Sequence, residues 1–243
     1  MFVDANVPVD LQKMPLGQII SAIGGLGTAA FGVVDASKAA LPGINRIGLK
    51  HIKEVVAGLT PDQTGEGLPA RPVNTLPRQN VLETIEANWV NGNDLASQKA
   101  IAKLLVKLHM APGNAEALAA KTNVDPEILR SVATKISTGA SLVQAEVDVY
   151  ARFDLIVTAL LDQAYQCSDQ KYRNMTRGLA ALVAVMLAVA AGWTLTGDGF
   201  WKSQELALSV LVGLLATPLA PVAKDISSAL ASAVNAMQAV KRK

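Results

Sequence analysis

Residues 179–196 read LAALVAVMLAVAAGWTLT, a run of eighteen residues without a charge. As an α-helix this run rises about 27 Å, close to the roughly 30 Å hydrocarbon core of a bilayer. A second run, 206–223, is equally long and uncharged, and it is interrupted only by Pro218 and Pro221 near its end. Two such adjacent runs predict a membrane hairpin with spans at 179–196 and 206–223; a helical hairpin buried in a soluble core is the alternative.

The turn between these runs contains the aromatic pair Phe200 and Trp201. Aromatic residues with a polar group, above all Trp and Tyr, concentrate at the boundary between hydrocarbon and water. We therefore expect Trp193, Phe200 and Trp201 to lie together at one membrane interface.

A third apolar run, 15–34, contains five glycines and only three polar residues. Glycine is costly in a water-exposed helix, but in lipid it lets helices approach closely. Small residues recur every four positions here, which predicts two packing ridges that face neighbouring helices or further copies of the chain. The ridge residues are Gly24, Thr28 and Gly32 on one side and Ser21, Gly25 and Ala29 on the other. A soluble or loosely membrane-bound helix is the alternative.

Basic residues flank the three runs unevenly. They follow the first run at positions 38, 46, 50 and 53, precede the second at 171, 173 and 177, and follow the third at 224 and 241–243. Because Lys and Arg accumulate in cytoplasmic loops, residues 1–14 and the hairpin tip are expected outside. Residues 36–177 and the carboxyl terminus are expected in the cytoplasm, with a bacterial inner membrane as the location.

Between the spans the pattern predicts helices and no strands. Residues 35–80 combine a short basic helix with a Pro/Gly-rich linker, and 81–177 form a helical domain. Asp94 is a candidate N-cap of a helix with an apolar face and lysines at 99, 103 and 107 on the opposite side, and Asp125-Pro126 begins another helix. The acidic residues 146, 148, 154 and 162 of the next helix are expected in solvent.

The run 116–132, EALAAKTNVDPEILRSV, resembles the second and third helices of helix-turn-helix domains, especially the winged-helix partner domains of small-molecule methyltransferases. The resemblance covers 95–138 and implies a three-helix packing unit. In DNA-binding members the third helix enters the major groove. Here that helix mixes Glu127 with Arg130 and Lys135, and Gly139 leads into another helix without a wing, so nucleic acid is not expected as a partner.

Two stretches carry apolar residues at alternating steps of three and four, the spacing of coiled-coil interfaces. They predict assembly seams between copies of the chain. The first seam consists of Val149, Phe153, Ile156 and Leu160, and the second of Ile226, Leu230, Ala233, Met237 and Val240. The second stretch, within 224–243, equally fits an amphipathic helix on the membrane surface, where its basic end would meet anionic headgroups.

The sequence carries no complete catalytic or metal-binding motif. GLGTAA at 25–30 matches a dinucleotide-binding pattern, but that motif needs the strands of a parallel sheet, which are not predicted. A single cysteine, Cys167, excludes an internal disulfide, and two histidines, His51 and His109, argue against a His-rich metal site. We expect no catalytic residue, no cofactor and no metal, and we do not expect an enzyme.

The composition fits a membrane protein, with 51% hydrophobic and 17% charged residues and a net charge of +2. This balance excludes intrinsic disorder and does not require a polyanionic partner. The sequence predicts an all-α integral membrane protein with one N-terminal span, a cytoplasmic helical domain and a C-terminal two-span hairpin. Its expected function is that of a homo-oligomeric scaffold or assembly protein whose cytoplasmic domain binds a protein partner. The alternatives are an oligomeric channel or pore component, lined by Gln18, Ser21 and Thr28, and a membrane-tethered nucleic-acid-binding regulator.

Overall fold

The computed structural model describes residues 16–61 and 77–241, without the side chains of 39, 42, 230 and 235–241. These residues contain helices and no β-strand, which confirms the all-α prediction. In chain order the helices are α1 Leu16–Ala40, α2 Pro42–Asn45, α3 Leu49–Leu59, α4 Arg78–Val90, α5 Leu95–His109, α6 Ala115–Thr122, α7 Pro126–Thr138, α8 Gln144–Thr196, a 3₁₀ turn Gly197–Lys202, and α9 Gln204–Lys241.

The chain divides into two compact units. One comprises the described residues within Met1–Leu41 and Asn174–Lys243, and the other is Pro42–Arg173. The first contains α1, α9 and the carboxyl-terminal part of α8. All three helices are long and apolar enough to cross a membrane. Only 22%, 17% and 22% of the residues in their most apolar windows are buried within the chain. Most of this apolar surface therefore faces outward, which indicates a membrane association.

Glycines let the helices of the first unit, which we call the membrane unit, approach closely. A Cβ on Gly27 would lie 2.0 Å from the carbonyl oxygen of Ala216, and one on Gly213 would lie 2.4 Å from Cα of Val185. Around these approaches Ala30, Ala184 and Ala216 form a small buried cluster. The backbones meet where side chains are smallest, as is typical of helix packing in lipid.

The direction of α1 differs from the predicted orientation. Gly24 approaches Leu219 and Ala223, whereas Gly27, further along α1, approaches Ala216, which comes earlier in α9. The two helices therefore run antiparallel at this crossing, while the predicted topology has both run from outside to inside. The predicted orientation used only the charges in the loops. The pairing of α1 with α9 depends instead on the small residues where the helices touch. The helix also continues through Pro218 and Pro221 to Lys241, well beyond the predicted span.

The second unit, Pro42–Arg173, is built around one apolar core. Helix α3 contributes Leu49, Ile52, Val56 and Leu59, which form one buried face of the helix. The residues of α8 that complete the core are Phe153, Val157, Leu161 and Tyr165. The expected separation of 35–80 from the helical domain is thus not seen, because α3 packs into the same core. The predicted linker falls mostly on 62–76, outside the described residues.

Local helix signals in this unit are confirmed. The Asp94 carboxylate accepts the Ser97 N–H at 2.9 Å, and the Asp125 carboxylate accepts the Ile128 N–H at 2.9 Å, with Pro126 at the start of α7. Helices α5, α6 and α7 occupy the stretch in which three helices were predicted. Gly139 ends α7 with a φ of 73°, a left-handed conformation that glycine adopts without strain.

Candidate functional site

The small-residue ridges of α1 serve two different surfaces. Gly24 packs inside the chain, since a Cβ there would lie 2.2 Å from Cβ of Ala223, whereas a Cβ on Gly25 or Gly32 would meet nothing within 4 Å. Ala29 is exposed. The Thr28 hydroxyl, on an exposed residue, donates to the carbonyl of Gly24 at 3.0 Å.

The residues that face outward are those of the predicted ridge Ser21, Gly25 and Ala29, together with Gly32 from the other predicted ridge. Ser21 is half-buried, and together with Gly25, Ala29 and Gly32 it lies on a face that we call the open ridge, defined by these four residues. Gly27, which neither predicted ridge included, makes the tightest approach to α9. Its spacing of three from Gly24 was the missed signal, because positions three apart also share a helix face.

The aromatic residues at the hairpin tip lie together, and the Phe200 and Trp201 rings meet edge to face with centroids 5.5 Å apart. Trp193 and Trp201 are 50% and 57% exposed, with ring centroids 6.3 Å apart. Phe200 is fully buried, and its ring fills the space beside Gly192, where a Cβ would lie 2.6 Å from the Phe200 Cε2. Phe200 therefore packs inside the hairpin, where Gly192 leaves room for it, and the position of the three aromatic residues at a membrane interface stays a prediction.

The first predicted assembly seam lies largely inside the domain. Phe153 is fully buried in the core of its own chain, and Leu160 packs against that core. Val149 and Ile156 are half-buried. The spacing that predicted a contact between copies marks the inner face of α8, so the seam assignment is wrong for Phe153. Of the second seam, Ile226 is half-buried and Ala233 exposed, while Leu230, Met237 and Val240 lie outside the described side chains.

Lysines of α5 pair with acids of α8. Lys99 lies 2.5 Å from Asp162, and Asp154 receives both Lys103 at 2.6 Å and Lys107 at 2.5 Å. Burial acts to raise the pKa of Asp154, and the hydrogen bonds from the two lysines outweigh it and hold that pKa below its usual value. The expectation that these acids are solvated is therefore wrong for Asp154, whose side chain is 25% exposed, whereas the Asp162 side chain is 48% exposed and reaches solvent while it pairs with Lys99.

Glu146 is another acidic residue of α8, and it is buried. It accepts hydrogen bonds from the Lys135 ammonium at 2.8 Å, the Ser131 hydroxyl at 2.7 Å and the Val143 N–H at 2.9 Å. In that order of weight these bonds lower the pKa of Glu146 to about 2. The carboxylate caps the start of α8 and fixes it to α7.

Glu146→Gln is expected to loosen the α7–α8 junction at neutral pH. A carboxyl whose pKa is lowered on folding stabilises the fold above its unfolded pKa, near 4.5, and this contribution fades as the pH falls towards 2. Hydrogen exchange of the α7 amides should therefore be faster in the variant at pH 7, and the difference should shrink by pH 3. Asp148→Asn, at an exposed carboxylate, is the matched control. Equal exchange in wild type and Glu146→Gln at pH 7 would contradict the assignment.

The basic side chains of α7 are engaged by acids. Arg130 pairs with Glu116 at 3.3 Å and with Glu127 at 3.1 Å, and Lys135 pairs with Glu146. Phosphate contacts depend on cations that are free to replace counterions. These pairings give the nucleic-acid alternative no support.

The remaining candidates for chemistry are dispersed. His109 is buried with its Nε2 2.8 Å from the carbonyl oxygen of Pro61, while His51 and Cys167 are exposed. Within 16–61 and 77–241, no group of three or more His, Cys, Asp or Glu side chains is placed to hold a metal ion.

An aromatic cluster that the sequence did not predict lies between α4 and α8. The Trp89 ring lies 6.4 Å from that of Tyr165 and 6.1 Å from that of Tyr172, and its Nε1–H donates to the carbonyl of Asn45 at 2.9 Å. Burial raises the pKa of Tyr165 to about 12. Gln98 is buried nearby, and it lines a cavity together with Trp89 and Tyr172.

Comparisons of the chain with protein-family models, with curated proteins and with solved structures found no match.

Proposed function

We propose that this chain is an integral membrane protein that anchors a folded helical domain and presents it to a protein partner, as a scaffold or assembly protein in a bacterial inner membrane. The observation that carries the proposal is the coexistence of two units of opposite character. Pro42–Arg173 has its own buried core, whereas α1, α9 and the end of α8 turn most of their apolar residues outward. Lipid is the solvent that such a surface fits.

Homo-oligomerisation is part of the proposal. The open ridge on α1 presents Gly25, Ala29 and Gly32 to the surroundings, whereas Gly24 and Gly27 already pack against α9 within the chain. Small residues four apart let two membrane helices approach closely. A second copy of α1 is the proposed neighbour of this ridge.

A protein partner is supported by exposed apolar residues on the folded unit. Leu104 and Leu108 stand one turn apart on α5 and are 56% and 48% exposed, and Leu155 on α8 is 69% exposed. Contiguous patches of exposed apolar side chains mark protein interaction sites. The α5 lysines at positions 99, 103 and 107 are paired with acids of α8, so they are not free to attract a polyanion.

The proposed orientation rests on the α8–α9 hairpin alone and places Pro42–Arg173 on the cytoplasmic side, following the basic residues at 171, 173 and 177. Because α1 runs antiparallel to α9 at their crossing, this orientation requires α1 to pack on the hairpin without carrying the chain to the opposite side of the membrane. Cys167, the single cysteine of the chain, reports this directly because it is exposed. A membrane-impermeant maleimide should label it in inverted vesicles and not in intact spheroplasts. In the control, Cys167→Ser combined with Asp198→Cys at the hairpin turn, the pattern should reverse. Labelling of Cys167 from the outer side would overturn the orientation.

Membrane integration and conduction are tested on the same protein. Vesicles washed with alkaline carbonate should retain the chain, and liposomes reconstituted with it should stay impermeable to ions. Release of the protein into the wash would contradict the proposal that it is an integral membrane protein. Ion flux that depends on the protein would favour the channel instead.

A further inference from the structure

A cavity of about 360 Å³ lies within the unit Pro42–Arg173, between the α4–α5 turn and α8. Two aromatic rings, those of Trp89 and Tyr172, line it and meet edge to face with centroids 6.1 Å apart. Leu95 adds an apolar side chain. Flat rings of this kind offer a surface on which a planar molecule packs.

Gln98 lines the cavity, and one of its side-chain polar atoms has no hydrogen-bond partner among the described residues. It is 3% exposed, and its Nε2 donates to the carbonyl oxygen of Asn93 at 2.6 Å. That bond fixes which end of the amide is the nitrogen, so the remaining atom is the acceptor Oε1. This oxygen is buried and has no hydrogen-bond partner among the described residues. A buried acceptor without a donor is rare in folded proteins, and it marks a place where a donor is missing.

The charges around the cavity are already paired. The Asp94 carboxylate accepts from the Ser97 N–H as the cap of α5, and Arg173 lies 2.7 Å from Asp169 one turn earlier on α8. A charged ligand would have to compete with these contacts. A neutral ligand would not.

We propose that this cavity binds a small, neutral, planar molecule that packs against Trp89 and Tyr172 and donates an N–H group to Oε1 of Gln98, an oxygen that the ligand reaches by displacing the side chains that cover it. The volume suits one or two fused rings. The inference does not depend on the scaffold function, and loss of ligand binding would leave the membrane topology unaffected.

The test compares two probes of the same shape, 5-fluoroindole and 5-fluorobenzofuran, in which ring oxygen replaces the N–H. Fluorine NMR line broadening is titrated with the full chain in phosphatidylcholine nanodiscs, and protein-free nanodiscs correct for partition into lipid. Saturable binding of 5-fluoroindole is expected, with roughly tenfold weaker binding of 5-fluorobenzofuran, as the loss of one hydrogen bond implies.

The variant Gln98→Met keeps the length of the side chain and removes the acceptor, and it should weaken 5-fluoroindole binding by the same factor. Gln79→Met is the matched control, because Gln79 is exposed and bonds to Glu83. No saturable binding of 5-fluoroindole, or equal affinity for both probes, would overturn the proposal. That comparison needs only the wild-type chain, so it decides the matter even where Gln98→Met fails to fold.

Discussion

Gly27→Leu is expected to separate α1 from α9 and to destabilise the membrane unit. A Cβ at this position would lie 2.0 Å from a backbone oxygen of Ala216, and a helix backbone cannot yield as a flexible side chain can. Overpacking of this kind costs about 1–3 kcal/mol, and more where the neighbour is rigid. The midpoint of thermal aggregation in detergent should fall clearly below that of the wild type.

Gly25→Leu is the matched control, two positions away on the open ridge. A Cβ there meets nothing within 4 Å of the same chain, so the fold and the aggregation midpoint should be kept. If the open ridge joins copies of the chain, light scattering in detergent should show a smaller mass for this variant. An unchanged mass would remove the homo-oligomer from the proposal, and a normal midpoint for Gly27→Leu would refute the α1–α9 contact.

Phe153→Ala is expected to destabilise the unit Pro42–Arg173 by about 3–5 kcal/mol, the usual cost of removing a buried aromatic ring. Phe153 is fully buried and stacks on Tyr150 with ring centroids 6.4 Å apart. Native-state hydrogen exchange of the full chain in nanodiscs measures the change. The most protected amides of the unit should exchange at least roughly a hundredfold faster, since every 1.4 kcal/mol is a factor of ten.

Leu155→Ala, two residues further along α8, distinguishes the core from a surface. Leu155 is 69% exposed, so its removal should change the stability by less than about 0.5 kcal/mol. Should Phe153→Ala instead leave exchange unaltered and lower the oligomeric mass, position 153 would belong to a contact between copies after all.

The features that the sequence predicted correctly depend on neighbouring residues. The helix α8 ends at Thr196, where the uncharged run ends, because length and apolarity alone define such a stretch. The helix caps at Asp94 and Asp125 could also be predicted from the sequence, since each carboxylate bonds to an amide three residues away in the sequence. Local chemistry of this kind does not need knowledge of the fold.

The features that were missed depend on which surface a helix turns towards which neighbour. The spacing of Phe153 and Leu160 indicates an apolar face without saying whether it meets the same chain or another. The pairing of Lys99 with Asp162 joins residues 63 positions apart, and it follows from the register of α5 on α8. The same applies to Gly27, whose partner Ala216 comes from the other end of the chain.

The cavity at Gln98 had no signal in the sequence. A glutamine early in a helix is usually solvated, whereas Gln98 is buried beside a cavity that Trp89 of α4 and Tyr172 of α8 also line. The buried amide becomes conspicuous only when its hydrogen bonds are counted.

The two prolines within α9 leave backbone carbonyl groups that water can hydrate. Proline has no N–H, so Pro218 and Pro221 leave the carbonyl groups of Leu214 and Thr217 without their usual helical donors. In hydrocarbon such oxygens attract any donor that reaches them. A span whose side chains bear no charge thus acquires, from its main chain, two adjacent places where hydration of the membrane interior can begin.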